Sequence, residues 1–169
     1  MLFIHPIWER FGGPLSEYIP VGVPVAIGYL AQNLIQHGHI VKVHDEELEL
    51  LDEAKIKKIV ADLPKPYVFG ISVMTASAGR AYYLTKVLKK LFPDSIVLLG
   101  GIHPTALPEE GLENGADYIF RGESEKPLLK FYEELRAGED VRDVSNISYI
   151  DENGEAIHNA ESDLSLIHI

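Results

Sequence analysis

Short apolar segments alternate with longer amphipathic segments along this chain, and this alternation limits the possible folds more than any other feature. The segments that predict strands are 2–7, 39–45, 67–73, 95–101 and 117–120. The segments that predict helices are 25–38, 46–66, 75–93, 105–115 and 123–138. Strands that alternate with helices in this way form parallel sheets with helices on both faces, because each connection must cross over the sheet.

We therefore expect an α/β domain with a doubly wound, five-stranded parallel sheet. The favoured strand order is flavodoxin-like (Rossmann-like), in which the chain winds outward in both directions from its first strand. Residues 146–159 differ in character, because two short runs flank the turn sequence DENG. This pattern predicts a C-terminal β-hairpin extension.

The sequence predicts three parts of unequal length. Residues 1–140 form the α/β domain, and residues 141–163 form a β-hairpin and linker. Residues 164–169, LSLIHI, are an abrupt apolar end after the polar ESD. They match one reading frame of a common sequencing adapter, so we expect a non-native or truncated tail on a fragment of a longer protein.

Composition argues against several classes of function. The 26 acidic and 15 basic side chains give a formal net charge of −11, which disfavours nucleic acid and anionic membranes as partners. Without cysteine, the chain has no disulfide and no thiolate for an iron–sulfur cluster. No apolar run approaches the roughly 20 residues of a membrane-spanning helix, and the N-terminus lacks the basic region of a signal peptide. We expect a cytoplasmic domain.

Small and polar residues follow three of the predicted strands. SVMTAS follows the third strand, GGIHP the fourth and RGES the fifth. In open α/β sheets, ligands bind where the carboxyl ends of the strands meet. Gly100 and Gly101 would let a flat or bulky ligand approach the backbone, and SVMTAS offers hydroxyls and free N–H groups to a phosphate or another polar edge. These strand ends predict a binding site.

Several motifs of other α/β proteins are absent. A phosphoacceptor receiver needs an acidic pair after the first strand and an aspartate after the third, where this chain has His5 and Ser72. The G-x-G-x-x-G motif, the P-loop and the G-x-S-x-G elbow are missing as well. The loop after the first strand lacks the Ser/Thr-rich phosphate cradle of a flavodoxin. We predict no catalytic residue and no metal ligand, because His5 and His103 are more simply explained as loop residues.

Three segments, 22–45, 68–114 and 116–135, resemble the N-terminal cobalamin-binding domain of cobalamin-dependent radical S-adenosylmethionine enzymes. The resemblance covers residues 1–137. Its most specific parts are GG-x-H-P-T after the fourth strand and R-G-E-x-E after the fifth. The predicted hairpin is similar to the segment that leads into the cluster-bearing barrel of such enzymes.

The resemblance implies cobalamin as the cofactor, with its corrin ring across the carboxyl edge of the sheet and its nucleotide tail in a crevice near the third to fifth strands. Ser72 and Thr75 would hydrogen-bond the tail, Val73 and Met74 would pack on it, and two glycines would leave bare backbone against it. His103 would help to line the far side. The cofactor-binding residues implied in this way are Ser72, Val73, Met74, Thr75, Gly100, Gly101, His103, Gly122 and Glu123.

The resemblance also implies what this fragment does not contain. A [4Fe–4S] cluster and S-adenosylmethionine are expected only in a radical S-adenosylmethionine barrel in cis, so the fragment alone would be inactive. The complete enzyme would transfer a methyl group or modify an unknown substrate by radical chemistry. Loop 8–24 would approach the lower face of the corrin. No lower cobalt ligand is implied, because the D-x-H-x-x-G motif of methyltransferases and mutases is absent, as it often is in the radical enzymes.

Two other interpretations stay open. The same sheet could serve a non-catalytic ligand-sensing or regulatory domain, or TASAG could act as the phosphate loop of a flavin or nucleotide binder. Cysteines spaced C-x-x-x-C-x-x-C in downstream sequence would favour the enzyme.

Overall fold

The computed structural model describes residues 1–7 and 23–162, and the part that it describes is built on one sheet. The strands are β1 Leu2–His5, β2 Lys42–Asp45, β3 Val68–Ser72, β4 Ile96–Gly100, β5 Tyr118–Phe120, β6 Ile147–Ile150 and β7 Ala156–His158. Their order is β2-β1-β3-β4-β5-β6-β7, with β1 to β5 parallel and the last two strands antiparallel. The predicted doubly wound, flavodoxin-like sheet is confirmed.

Helices cover both faces of the sheet. They are α1 Val25–Gln36, α2 Glu53–Val60, α3 Ala78–Leu91, α4 Ile102–Ala106, α5 Pro108–Glu113 and α6 Glu125–Ala137. Buried side chains of α1 and α6 pack on one face, whereas those of α2, α3 and α5 pack on the other. A 3-10 turn, Thr75–Ser77, precedes α3.

Alternation along the strands decides which residues meet each helix layer, because successive side chains of a strand point to opposite faces. In β4, Val97 and Leu99 pack toward α2 and α3, whereas Leu98 packs toward α1 and α6. Gly100 therefore belongs to the α1/α6 face. By the same alternation, Ser72 at the end of β3 also belongs to that face.

Two predicted helices differ from those in the structure. The helix expected over 46–66 begins only at Glu53, because the Asp52 side chain caps it by accepting a hydrogen bond from the Lys55 N–H. The helix expected over 105–115 is interrupted at Leu107, which has a ψ of 67°. A residue that precedes proline is disfavoured in the helical region, and Pro108 starts α5.

The predicted hairpin is present and extends the sheet. Strand β6 pairs with β5, and the turn between β6 and β7 uses Gly154 at a φ of 85°. Val144 and Ile147 are fully buried in the core beneath α1 and α6.

None of the helices in the described part of the chain has the length and apolar character needed to cross a membrane. The tail over 164–169, for which we expected a non-native sequence, lies outside the described residues.

Candidate functional site

The predicted binding residues meet where the parallel strands end. Ser72 is the register partner of Gly100, and Gly100 is the register partner of Phe120. Gly122 follows two residues later. Neighbouring strands lie about 5 Å apart, so the three predicted strand ends form one continuous edge.

A cavity of about 250 Å³ opens at this edge, between the sheet and helices α1 and α6. We call it the tail cavity. Its buried apolar walls are Met1, Phe3, Ile27, Leu98, Phe120 and Leu128. Its more exposed mouth is formed by Ser72, Gly101, Gly122, Glu123, Ser124 and Glu125. The predicted site residues that it brings together are Ser72, Gly100, Gly101, Gly122 and Glu123.

The tail cavity exists because Gly100 has no side chain and no other side chain among the described residues fills the space in front of it. At Gly70, a Cβ would lie 2.7 Å from the Met1 methyl group and the Phe3 ring, so these side chains already occupy that place. At Gly100, the nearest atoms to a Cβ belong to Phe120, at 3.8 Å, which is an ordinary contact. The space in front of Gly100 is therefore open to a ligand.

Gly101 has a different role from its neighbour. Its φ is 108°, and a Cβ would lie 2.7 Å from the Val73 carbonyl oxygen. That close approach is held by backbone hydrogen bonds, because the Val73 N–H donates to the Gly100 oxygen at 2.7 Å and the His103 N–H donates to the Val73 oxygen at 3.2 Å. Gly101 therefore keeps the ends of β3 and β4 together.

Thr105 joins the ends of β4 and β5. Its hydroxyl donates to the Gly101 carbonyl at 2.8 Å and accepts the Gly122 N–H at 3.0 Å. Thr105 is the threonine of GG-x-H-P-T, and its place in that motif was the available signal for a role that the residue was not assigned from the sequence.

Asn146 holds the loop after β5 from the other side. Its side-chain amide donates to the carbonyl oxygens of Arg121, at 3.1 Å, and Glu123, at 2.9 Å. The residue is buried and has a φ of 66°. No local pattern in the sequence marks this role, because the contact joins residues more than 20 positions apart.

The structure does not bring His103 to the tail cavity. Its ring is buried on the opposite face of the sheet, where Nε2 lies 3.0 Å from the Tyr82 hydroxyl and 3.6 Å from a Glu110 carboxylate oxygen. Burial, followed by the negative charge of Glu110, raises the pKa of Tyr82 to about 12. Tyr82 therefore stays protonated, and this cluster anchors α4 to α3.

The remaining predicted residues lie beside the tail cavity rather than in it. Val73 is buried in the core toward α2 and α3. Met74 and Thr75 are exposed beyond the end of β3, and Met74 lines a second pocket, of about 390 Å³, with His5 and Pro24. Most of loop 8–24 lies outside the described residues. Among the described residues of the whole chain, no group of three or more His, Asp or Glu side chains could hold a metal ion.

Comparison with known proteins identifies the family of this domain. The family model of the B12 binding domain matches residues 16–131. The chain belongs to this family. The prediction of a cobalamin-binding domain is therefore confirmed at the level of the family.

Curated relatives of this B12-binding domain are much longer than the chain. An uncharacterized methyltransferase of Pyrococcus horikoshii is 30% identical over 136 residues, which are 79% of this chain and 29% of that protein. The anaerobic magnesium-protoporphyrin IX monomethyl ester cyclase of Rubrivivax gelatinosus is 28% identical over 163 residues, which are 93% of this chain and 29% of that protein. The chain thus spans less than a third of either relative.

Solved structures show the same fold. The radical S-adenosylmethionine methyltransferase TsrM from Kitasatospora setae superposes with a TM-score of 0.77 at 20% identity, over 94% of this chain and 29% of that chain. The cobalamin-dependent S-adenosylmethionine radical enzyme OxsB, with aqua-cobalamin and S-adenosylmethionine bound, has a TM-score of 0.77 at 21% identity, over 95% of this chain and 22% of that chain.

Proposed function

We propose that this B12-binding domain holds cobalamin at the carboxyl edge of its sheet, with the nucleotide tail inserted in the tail cavity. The open space in front of Gly100 carries this proposal. The volume of about 250 Å³ is below the roughly 300–1,000 Å³ of pockets that enclose a whole drug-sized ligand. It therefore suits the bicyclic base of the tail, whereas the corrin ring would remain outside.

Hydroxyl and backbone N–H groups at the mouth of the tail cavity suit the sugar and phosphate of the tail. The Ser72 hydroxyl belongs to the face of the sheet that lines the cavity. Helix α6 begins at the same place, and the N–H groups of its first turn suit a phosphate. The Ser124 hydroxyl donates to the Gly122 carbonyl at 3.1 Å and so shapes the loop around the mouth.

Exposed apolar side chains at the same edge suit the corrin ring. Val25 is 73% exposed, Met74 56% and Ile102 71%. These residues follow the ends of different strands or start the adjoining helix, so they lie at the same edge of the sheet as the mouth of the tail cavity. A ring that lies across them would remove their apolar surface from water and would exclude water from its own lower face.

We further propose that the complete protein is a radical S-adenosylmethionine enzyme. Cobalamin, when bound, supplies a cobalt centre that can carry a methyl group, while the residues of this chain bind and orient it. A [4Fe–4S] cluster and S-adenosylmethionine would belong to a further domain. Because one relative is named as a methyltransferase and another as a cyclase, the choice between methyl transfer and another radical modification would depend on that domain.

The test is retention of hydroxocobalamin by the purified chain through gel filtration, with an absorption titration for the affinity. We expect a one-to-one complex with a base-off spectrum, since the base leaves cobalt when it enters the tail cavity. Gly100→Val should weaken binding at least about fivefold, because overpacking a filled cavity costs about 1–3 kcal/mol.

The matched control is Gly28→Ala. Gly28 lies on the exposed side of α1, and a Cβ there would meet no atom within 4 Å. This variant should bind like the unmodified chain. Unchanged affinity of Gly100→Val, or no retention of hydroxocobalamin by the unmodified chain, would contradict the proposal.

A further inference from the structure

Away from its mouth, the tail cavity is walled by apolar side chains. Phe3, Leu98, Phe120 and Leu128 are each between 2% and 4% exposed, and all four are apolar. Leu98 stands two residues before Gly100 on the same face of β4, so it forms the floor directly behind the opening. A group that enters past Gly100 therefore meets only hydrocarbon and aromatic surface from these side chains.

Several polar groups near these walls are already paired, including the buried amino group of Met1, which donates to the Tyr132 hydroxyl at 3.2 Å. The backbone of β3 and β4 is paired in the sheet, from Val68 opposite Ile96 to Ser72 opposite Gly100. The side-chain amide of Asn33, on α1, donates to the Glu125 carbonyl at 3.0 Å. Among the described residues, the polar side chains that line the cavity all stand at its mouth.

We propose that the tail cavity selects corrinoids by their lower base, accepting a methylated benzimidazole and disfavouring a purine. This inference rests on the proposed function. Both bases have an imidazole ring, so the difference lies in the six-membered ring. In dimethylbenzimidazole that ring carries two methyl groups, whereas in adenine it carries two ring nitrogens and an exocyclic amine.

The buried walls distinguish these two rings by hydrogen bonding. Methyl groups fill space against Phe3, Leu98 and Phe120 and lose no hydrogen bond. The polar atoms of adenine would lose their bonds to water and gain none from these walls, and unpaired buried polar groups are costly. Apolar pockets discriminate between ligands of similar shape only to a limited extent. We therefore expect the adenine corrinoid to bind about 10- to 100-fold more weakly than the dimethylbenzimidazole corrinoid.

The deciding experiment uses the unmodified chain and three corrinoids. These are hydroxocobalamin, its analogue with adenine in place of dimethylbenzimidazole, and cobinamide, which has no nucleotide tail. Dissociation constants are measured by absorption titration at one pH and one salt concentration. We expect hydroxocobalamin to bind most tightly, with the adenine analogue at least about tenfold weaker.

The outcomes distinguish failure of this inference from failure of the proposed function. Equal affinity for the two bases would overturn the selectivity and leave the proposed function standing. Equal affinity for cobinamide and hydroxocobalamin would show that no base enters the cavity, and it would overturn both the inference and the tail insertion in the proposed function. If no corrinoid binds, the proposed function fails, and the inference fails with it.

A pair of variants at Leu128 tests the cause. Leu128→Gln places an amide in the apolar wall and should reduce the preference for hydroxocobalamin over the adenine analogue by at least about threefold. Leu128→Met conserves volume and apolar character, and it should keep the preference. A preference unchanged in a folded Leu128→Gln variant would overturn the assignment, and if that variant does not fold, the comparison of the three corrinoids still decides.

Discussion

Gly100 and Gly101 stand side by side at the end of β4, but they are required for different reasons. Gly100 leaves open space, because its Cβ would make only ordinary contacts at 3.8 Å. Gly101 has a φ of 108° and a ψ of −174°, a conformation that is essentially restricted to glycine. A side chain at Gly100 should therefore affect the ligand, whereas one at Gly101 should affect the fold.

We expect Gly101→Ala to lower the free energy of unfolding by about 3 kcal/mol, since backbone strain of this kind costs about 1–3 kcal/mol and the contact with the Val73 oxygen adds to it. Gly100→Ala should change it by less than about 1 kcal/mol. Urea unfolding followed by circular dichroism measures both. Similar destabilisation by the two substitutions would contradict the distinction.

Thr105 gives a second prediction at the residue scale. Thr105→Val removes the hydroxyl that joins the Gly101 carbonyl to the Gly122 N–H, and it should destabilise the chain by about 1 kcal/mol. Because both partners stand at the mouth of the tail cavity, hydroxocobalamin should also bind several-fold more weakly. Thr105→Ser retains the hydroxyl and serves as the control. The role would be disproved if both variants weaken binding equally in the titration.

At the scale of elements, a buried carboxylate in the turn after β2 is a second reason, besides the Asp52 cap, why α2 starts late. Glu46 is 1% exposed and accepts hydrogen bonds from Arg80 at 2.5 and 2.9 Å, from the Leu51 N–H at 3.0 Å and from the Ile7 N–H at 3.3 Å. These bonds tie the turn after β2 to the end of β1 and to α3. Glu46 is the first residue of the acidic segment that predicted a helix, but its carboxylate makes tertiary contacts instead.

The pKa of Glu46 gives the direction of a pH effect. Burial opposes its charged form, but the hydrogen bonds and charge of Arg80, with the N–H groups of Leu51 and Ile7, outweigh burial and lower the pKa below its ordinary value of 4.5. Below the unfolded pKa, the unfolded chain binds more protons than the folded chain. The stability contributed by Glu46 is therefore complete above about pH 4.5 and is lost as the pH falls through the lowered folded value.

We expect Glu46→Gln to lower the free energy of unfolding at pH 7 by about 3 kcal/mol, because breaking a buried ion pair leaves the partner charge unpaired. The variant should also lose less stability on acidification than the unmodified chain. Urea unfolding at a series of pH values measures both effects. Glu49→Gln is the control, because Glu49 pairs with Lys55 at the surface and such pairs contribute little. An unchanged acid dependence in Glu46→Gln would contradict the assignment.

At the scale of the whole molecule, the C-terminal hairpin contributes to the core. Val141, Val144 and Ile147 are at most 5% exposed and pack with residues of α1 and α6. Asn146, in the same segment, bonds the loop that forms part of the mouth of the tail cavity. The segment after residue 140 thus connects the edge of the sheet to the proposed cofactor site.

We expect a chain that ends at residue 140 to be severely destabilised. Three buried apolar side chains would be lost, each worth about 1.5–3 kcal/mol, and β5 would become an exposed edge. The sum is comparable to the total stability of about 5–15 kcal/mol of an ordinary domain. Thermal unfolding and gel filtration of this chain and of a chain that ends at residue 163 provide the comparison. Equal melting temperatures would show that residues 1–140 fold independently.

The sequence by itself determined the order of elements, the parallel sheet and the edge at which Ser72, Gly100 and Gly122 lie. These features follow from local periodicity and from the rule that parallel strands end at a common edge. Only the tertiary structure decided that Gly100 opens a cavity while Gly70 is filled, that His103 belongs to the opposite face, and that Thr105 and Asn146 support the mouth. The physical reason is that cavities and long-range hydrogen bonds depend on which side chains of distant segments meet across the sheet, and no local pattern records those contacts.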